Sequence, residues 1–195
     1  MTTIKPEDDF NKEINCTYND ELYSVRDNGA VFRHPRINER LRPNDNKWTF
    51  GKLNSKKEYL EIASVRVHRI VALTFHGEPQ TKEHVVDHID TNKQNNRPEN
   101  LRWVTRLENV LLNPITVKRI ESICKCSIEE FLANPQKYRD LLSNAPKSIY
   151  WMRTVSREEA QESLINLTHW AKTDKPLLGK TLGGWIFHRK DVHSN

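Results

Sequence analysis

An acid and an imidazole stand side by side in the middle of the chain, where the apolar pair Val85 and Val86 is followed by Asp87 and His88. Further along, Asn109 supplies an amide oxygen. Carboxylate and amide oxygens are hard ligands that suit Mg²⁺ or a similar divalent ion. An imidazole with a pKa near neutrality can take a proton from water at working pH. A metal ion and a general base are together sufficient for phosphodiester hydrolysis.

The segments around these residues predict two short strands and a helix. Residues 85–90 begin as an apolar strand, residues 91–100 form a polar loop rich in Asn, and residues 101–105 form a second strand. Thr105 can cap a helix, and Glu108, three residues later, completes a capping box. Asn109 therefore lies about one turn into that helix.

The position of the strand end matters for the chemistry. Neighbouring residues on a strand point to opposite faces, so Asp87 and His88 line one site only at a strand end or bend. The change from strand to loop at Ile89 allows such a bend.

The order of these residues resembles the HNH, or ββα-metal, endonucleases, in the branch carried by phages and mobile introns. The resemblance extends from Val67 to Leu112. The matching stretches are His68-Arg69-Ile70-Val71-Ala72, Asp87-His88-Ile89-Asp90, Asn92-Lys93, Asn95-Asn96-Arg97, Glu99-Asn100-Leu101, Trp103-Val104-Thr105 and Glu108-Asn109.

The resemblance assigns roles to four of these residues. It implies that His88 is the general base, that Asp87 and Asn109 bind the metal, and that Asn100 braces the loop and holds the base in place. Many members have a third histidine where this chain has Asn109. The amide favours an oxygen-ligated Mg²⁺ or Mn²⁺ over tightly held Zn²⁺. We interpret His68 as a structural histidine bonded to backbone or phosphate.

Composition favours an intracellular protein with a polyanionic partner. The chain has 195 residues, a net charge of +5 and a hydrophobic fraction of 36%, which is low for one compact core. No run approaches the roughly 20 apolar residues of a membrane span. The polar start of the chain lacks a signal-peptide core, so we expect a cytoplasmic protein of phage or bacterial type. The three cysteines are expected to be free thiols.

The predicted fold class is α+β, in three parts. Residues 1–66 form a loose arm, to about residue 18, and then a small antiparallel sheet. Residues 67–112 form the ββα-metal nuclease core, with a helix that carries Val67, Ile70, Val71 and Phe75 on one apolar stripe. Residues 113–195 form a helical domain for DNA binding or dimerisation.

Capping boxes mark two helices of this helical part. They are Ser127 with Glu130, and Ser156 with Glu159. Glycines then loosen the chain before Trp185-Ile186-Phe187.

Basic residues in two regions are candidate phosphate or DNA contacts. They are Arg33, Arg36, Arg40, Arg42, Lys52, Lys56 and Lys57 in the N-terminal part, and Arg97 and Arg102 beside the predicted site. The alternative for the first group is a solvated basic loop without a specific partner.

We therefore expect a metal-dependent DNA endonuclease similar to homing endonucleases, acting on double-stranded DNA with Mg²⁺ or Mn²⁺. One alternative is a DNA-binding or regulatory protein that keeps the scaffold without cutting. A restriction-type endonuclease is another. A monomer would nick one strand, whereas a homodimer could cut both. The target sequence does not follow from the residues.

Overall fold

The computed structural model describes residues 5–173, and the chain divides into two compact units. The first unit ends at Val104 and the second begins at Thr105. Small antiparallel sheets and helices are both present, so the predicted α+β class is confirmed. The predicted nuclease core, residues 67–112, includes this boundary, and our division into three parts stays a prediction.

The first unit contains nine strands and one α-helix within residues 5–104. The strands are β1 (Glu13–Tyr18), β2 (Glu21–Arg26), β3 (Val31–Arg33), β4 (Trp48–Thr49), β5 (Lys52–Leu53), β6 (Leu60–Ile62), β7 (Val65–Arg66), β8 (Val85–His88) and β9 (Leu101–Val104). They form three antiparallel sheets in the orders β1-β2-β3-β4, β5-β6-β7 and β8-β9. The predicted N-terminal sheet is therefore present as two separate small sheets.

Strand β1 corrects the prediction of a loose arm up to residue 18. It pairs with β2 along its whole length, from Glu13 opposite Arg26 to Tyr18 opposite Glu21. Only Cys16 and Tyr18 on this strand pack against the core, and most of its other residues are exposed. With so few apolar residues, the period-two pattern of a strand was too weak to see in the sequence.

Helix α1 (Val67–His76) carries the core of the first unit. Its residues Val67, Ile70, Val71 and Ala72 are completely buried, and Phe75 packs partly buried against them, so the predicted apolar stripe is confirmed. They pack with residues of the sheets, namely Tyr23, Val25, Val31, Ile62, Val86 and Leu101. Each buried aliphatic side chain of this size contributes roughly 1.5–3 kcal/mol of transfer free energy. The helix therefore attaches β8 and β9 to the N-terminal sheets.

The second unit is helical in its described part. Its α-helices are α2 (Arg106–Leu111), α3 (Pro114–Cys124), α4 (Ile128–Ala133), α5 (Lys147–Tyr150) and α6 (Arg157–Thr173), with short 3₁₀ turns between α4 and α6. The predicted capping boxes are present at Thr105 with Glu108 and at Ser127 with Glu130. At the third site, Ser156 Oγ accepts from the Glu159 N–H. Trp185-Ile186-Phe187 lies outside the described residues.

Two further expectations concern chemistry and membranes. Cys16, Cys124 and Cys126 are free thiols, as predicted. Within residues 5–173, none of the helices has the length and apolar character needed to cross a bilayer.

Candidate active site

The β8-β9 hairpin places Asp87 and His88 where strand gives way to loop. Asp87 pairs with Arg102, and His88 pairs with Leu101, in an antiparallel register. The chain turns immediately afterwards, because the Thr91 N–H donates to the carbonyl of His88 at 2.9 Å. The sequence indicated this bend from the polar loop that follows the apolar run.

His88 is buried and held through one ring nitrogen. The residue is 5% exposed, and its Nε2 lies 3.1 Å from Asn96 Oδ1. Burial lowers the pKa of His88 below that of an ordinary imidazole, and the hydrogen bond to Asn96 offsets part of this effect. The ring is therefore neutral at neutral pH, which is the form that can accept a proton. The sequence did not single out Asn96 from its neighbouring asparagines.

Two aromatic rings form a wall beside His88. The His68 ring meets it edge-on, with centroids 5.0 Å apart, and the Tyr59 ring lies 6.0 Å away. Tyr59 and His68 also meet edge-on at 4.8 Å. These rings limit how the imidazole of His88 can rotate.

His68 is an unusual member of this wall. It is 2% exposed, and its Nδ1 has no hydrogen-bond partner within the described part of the chain. Burial lowers the pKa of His68 to about 3, and electrostatic interactions with His88, Arg66 and Arg69 act in the same direction. His68 therefore remains neutral and contacts other rings, and the predicted bond to backbone or phosphate stays a prediction.

Asp87 supplies a carboxylate beside the imidazole. It is 9% exposed, and its Oδ2 accepts a hydrogen bond from Arg102 Nε at 3.0 Å. Carboxylate oxygens are hard donors of the kind that a divalent ion prefers, and an ion bound here would compete with Arg102 for Asp87. Within residues 5–173, no group of three or more His, Cys, Asp or Glu side chains could hold a metal alone. Any metal bound here would need other oxygen ligands.

Asn109, the other predicted ligand, belongs to the second unit. It is exposed on α2, and its backbone N–H donates to the carbonyl of Thr105 at 3.0 Å. Its assignment as a metal ligand stays a prediction.

Asn100 braces the loop between β8 and β9. Its Nδ2 donates to Asp90 Oδ1 at 2.9 Å and to the carbonyl of Asn95 at 2.8 Å. Its Oδ1 accepts from the Asp90 N–H at 2.9 Å. The carboxylate of Asp90 also accepts from Asn95 Nδ2 at 2.6 Å. Asn100 therefore fixes the loop that presents Asn96, and it acts on His88 only indirectly.

Three contacts connect this loop to the N-terminal part of the first unit. Lys93 Nζ pairs with Glu58 at 2.8 Å, and Arg97 pairs with Asp9. Gly29, with φ of +89°, approaches so closely that an added Cβ would lie 3.0 Å from the backbone carbonyl of Asn96. The residue that holds His88 is therefore packed against the turn between β2 and β3.

Several arginines that we predicted as DNA contacts bind carboxylates of the first unit. Arg33 is 5% exposed, and its Nε lies 2.6 Å from Asp45. Arg42 pairs with both Glu21 and Asp45. Arg36 also pairs with Glu21. The burial of Arg33 argues against the predicted phosphate contact at that residue, because its guanidinium is already enclosed in an ion pair.

The other predicted contacts differ in their surroundings. Lys52 and Lys56 line an open cleft of about 560 Å³, whereas Arg40 and Lys57 are exposed on the surface. Arg97 and Arg102 pair with acids, as described above. Contact of these residues with DNA stays a prediction.

Comparisons with known proteins agree with the resemblance seen in the sequence. Residues 65–111 match the family model described as HNH endonuclease. An uncharacterized HNH endonuclease of Acanthamoeba polyphaga mimivirus is 37% identical over 93 residues, covering 46% of this chain and 22% of that protein. DNA endonuclease I-HmuI of Bacillus phage SP01 is 37% identical over 90 residues, covering 46% of this chain and 45% of that protein.

The match to these curated relatives spans less than half of their length. A solved structure of DNA binding and cleavage by the HNH homing endonuclease I-HmuI is 30% identical. The match covers 52% of this chain and 60% of that one, with a TM-score of 0.33. Residues 65–111 are therefore the part of the chain that is similar to the HNH endonuclease family.

Proposed function

We propose that the protein is a metal-dependent endonuclease that hydrolyses phosphodiester bonds in double-stranded DNA, with His88 as its general base. The observation that carries this proposal is the buried imidazole beside a carboxylate. His88 is neutral, one of its nitrogens is held by Asn96, and Asp87 precedes it at the same strand end. The match of residues 65–111 to the HNH endonuclease family model supports the same reaction class.

The hydrogen bond to Asn96 determines which nitrogen of His88 is basic. An amide oxygen can only accept, so Nε2 donates its proton to Asn96 Oδ1 and Nδ1 keeps a lone pair. In the proposed step, a water proton moves to Nδ1 as the water oxygen bonds to phosphorus. The bond from phosphorus to the 3′-oxygen breaks, which leaves a 5′-phosphate and a 3′-hydroxyl once the leaving oxygen has taken a proton from solvent.

The proposed metal is Mg²⁺ or Mn²⁺, held by Asp87 and Asn109. The donor set fits such an ion because both side chains offer hard oxygens. The ion, when bound, would neutralise charge on the phosphate. Asp87 lies in the first unit and Asn109 in the second. That they share one ion is a proposal drawn from the family resemblance.

The test is cleavage of supercoiled plasmid in Mg²⁺ together with DNA affinity measured without divalent ions. His88→Ala should lower the cleavage rate by roughly 10²–10⁴-fold, because a general base contributes about that much. Its DNA affinity should change little, since the base acts only in the chemical step. His84→Ala, at a half-buried histidine outside this site, is the matched control. Equal loss of affinity and cleavage in His88→Ala would contradict the role.

The contact between Arg102 and Asp87 gives some support to a second candidate, a DNA-binding protein that does not cut. In that case Asp87 would serve only as the ion-pair partner of Arg102. The plasmid assay separates the two candidates, because only the endonuclease changes plasmid topology.

A further inference from the structure

Most arginines in the described part of the first unit form ion pairs with carboxylates, and a few keep an uncompensated positive charge. Within residues 5–104, six of the nine arginines form ion pairs with Asp or Glu. In this part of the chain, the arginines without such a pair are Arg40, Arg66 and Arg69. Arg66 and Arg69 are neighbours at the start of α1, so two uncompensated positive charges lie close together.

Arg66 and Arg69 line the same cleft. It has a volume of about 360 Å³, and its other walls are formed by residues of the adjacent turns, namely Tyr18, Asn19, Ser64 and Val65. No acidic side chain lines this cleft or lies in the first turn of α1. The partial positive charge of the helix N-terminus adds to that of the two guanidinium groups. The cleft is therefore suited to an anion.

Positive charge in the cleft also reaches the candidate active site. Both arginines contribute to the low pKa of His68, whose ring contacts that of His88. The charges of the cleft therefore act on the rings beside His88.

The distance from Arg66 to His88 limits how far from His88 an anion bound in this cleft can lie. The guanidinium carbon of Arg66 lies 4.7 Å from the centre of the Tyr59 ring, and that centre lies 6.0 Å from the centre of the His88 ring. The guanidinium carbon of Arg66 is therefore at most 10.7 Å from the centre of the His88 ring. With a rise of about 3.4 Å per nucleotide on one strand, this corresponds to roughly three nucleotides.

We propose that Arg66 and Arg69 together bind one backbone phosphate of the DNA, within roughly three nucleotides of the phosphate beside His88. Guanidinium groups match phosphate oxygens in a bidentate geometry. The contact carries no sequence information and fixes the position of the strand. The inference rests on the proposed function for the identity of the anion, and its test does not depend on cleavage.

The test measures how DNA affinity changes with salt, using a fluorescent duplex in EDTA so that no cleavage occurs. Neutralising one phosphate contributes about 0.9 to the slope of log K against log salt. In the double variant Arg66→Gln, Arg69→Gln the slope should be smaller by about 0.9. This corresponds to about an eightfold loss of DNA affinity at 0.1 M salt. Lys12→Gln removes an exposed positive charge from the start of the first unit and is the control.

A further variant separates charge from packing. Arg66 stacks on Tyr59, so its removal could also disturb that ring. Arg66→Lys, in a chain that keeps Arg69, should retain the wild-type slope if charge is what matters. An unchanged slope in the double variant, or a wild-type protein whose DNA affinity does not respond to salt, overturns the proposal. If the wild-type protein does not cut DNA in Mg²⁺ but the double variant still has a smaller salt slope, the phosphate site is supported and the endonuclease proposal is refuted.

Discussion

Acidification should destabilise the first unit through His68. The pKa of an ordinary imidazole is about 6.5, whereas that of the folded His68 is about 3. Below pH 6.5 the unfolded chain binds a proton that the folded chain does not, so a falling pH favours unfolding. This contribution to stability is intact above pH 6.5 and is lost progressively down to about pH 3. Between pH 7 and pH 5 the loss amounts to about 2 kcal/mol.

The variant His68→Phe isolates this effect. A phenyl ring has a similar size and can keep the edge-on contacts with Tyr59 and His88, but it cannot take up a proton. The variant should therefore lose about 2 kcal/mol less than the wild type between pH 7 and pH 5. His88 also has a lowered pKa and remains in both proteins, so its share cancels in the comparison.

The assay is urea unfolding at pH 7, 6 and 5, with hydrogen exchange of the α1 amides reporting on the first unit. His76→Phe, at an exposed histidine at the end of the same helix, controls for the loss of any imidazole. If wild type and His68→Phe lost the same stability on acidification, His68 would not be the neutral buried ring that we describe.

Three more outcomes follow from individual contacts. Asp87→Asn should abolish the binding of Mn²⁺ measured by electron paramagnetic resonance, and undiminished binding would exclude Asp87 as a ligand. Gly29→Ala should cost about 1–2 kcal/mol in urea unfolding and also slow cleavage, because its positive φ disfavours a side chain and its Cβ would press on Asn96. Arg33→Ala should destabilise the protein in urea unfolding by less than the about 3–5 kcal/mol expected for a wholly unpaired buried charge, because Asp45 keeps its ion pair with Arg42, and a neutral effect would return Arg33 to the DNA contacts.

Local signals in the sequence were sufficient for the elements that frame the site. The helix after β9 was indicated by Thr105 and Glu108, whose reciprocal bonds depend on residues three apart. The bend after His88 followed from a polar loop directly behind an apolar strand. These features are decided within a few residues, so residue type and spacing predict them well.

The partners of the site residues depend on contacts between distant segments, which spacing does not reveal. Asn96 lies in a run of similar asparagines, and only the folded loop brings it to His88. Tyr59 reaches the same ring from the segment directly before β6. The ion pair of Arg33 with Asp45 likewise turned a predicted surface cation into a buried one. In each case tertiary packing selected one residue among several of the same type.

The contacts of the loop with Asp9, Gly29 and Glu58 determine how much of the chain the candidate site needs. All three points of attachment precede residue 65, where the family match begins. A fragment cut out at the limits of that match would keep His88 and Asn96 but lose the contacts that Lys93, Asn96 and Arg97 make with preceding residues. Residues 65–111 therefore depend on residues that precede them. We expect that a transfer of this segment to another protein must include the preceding sheets.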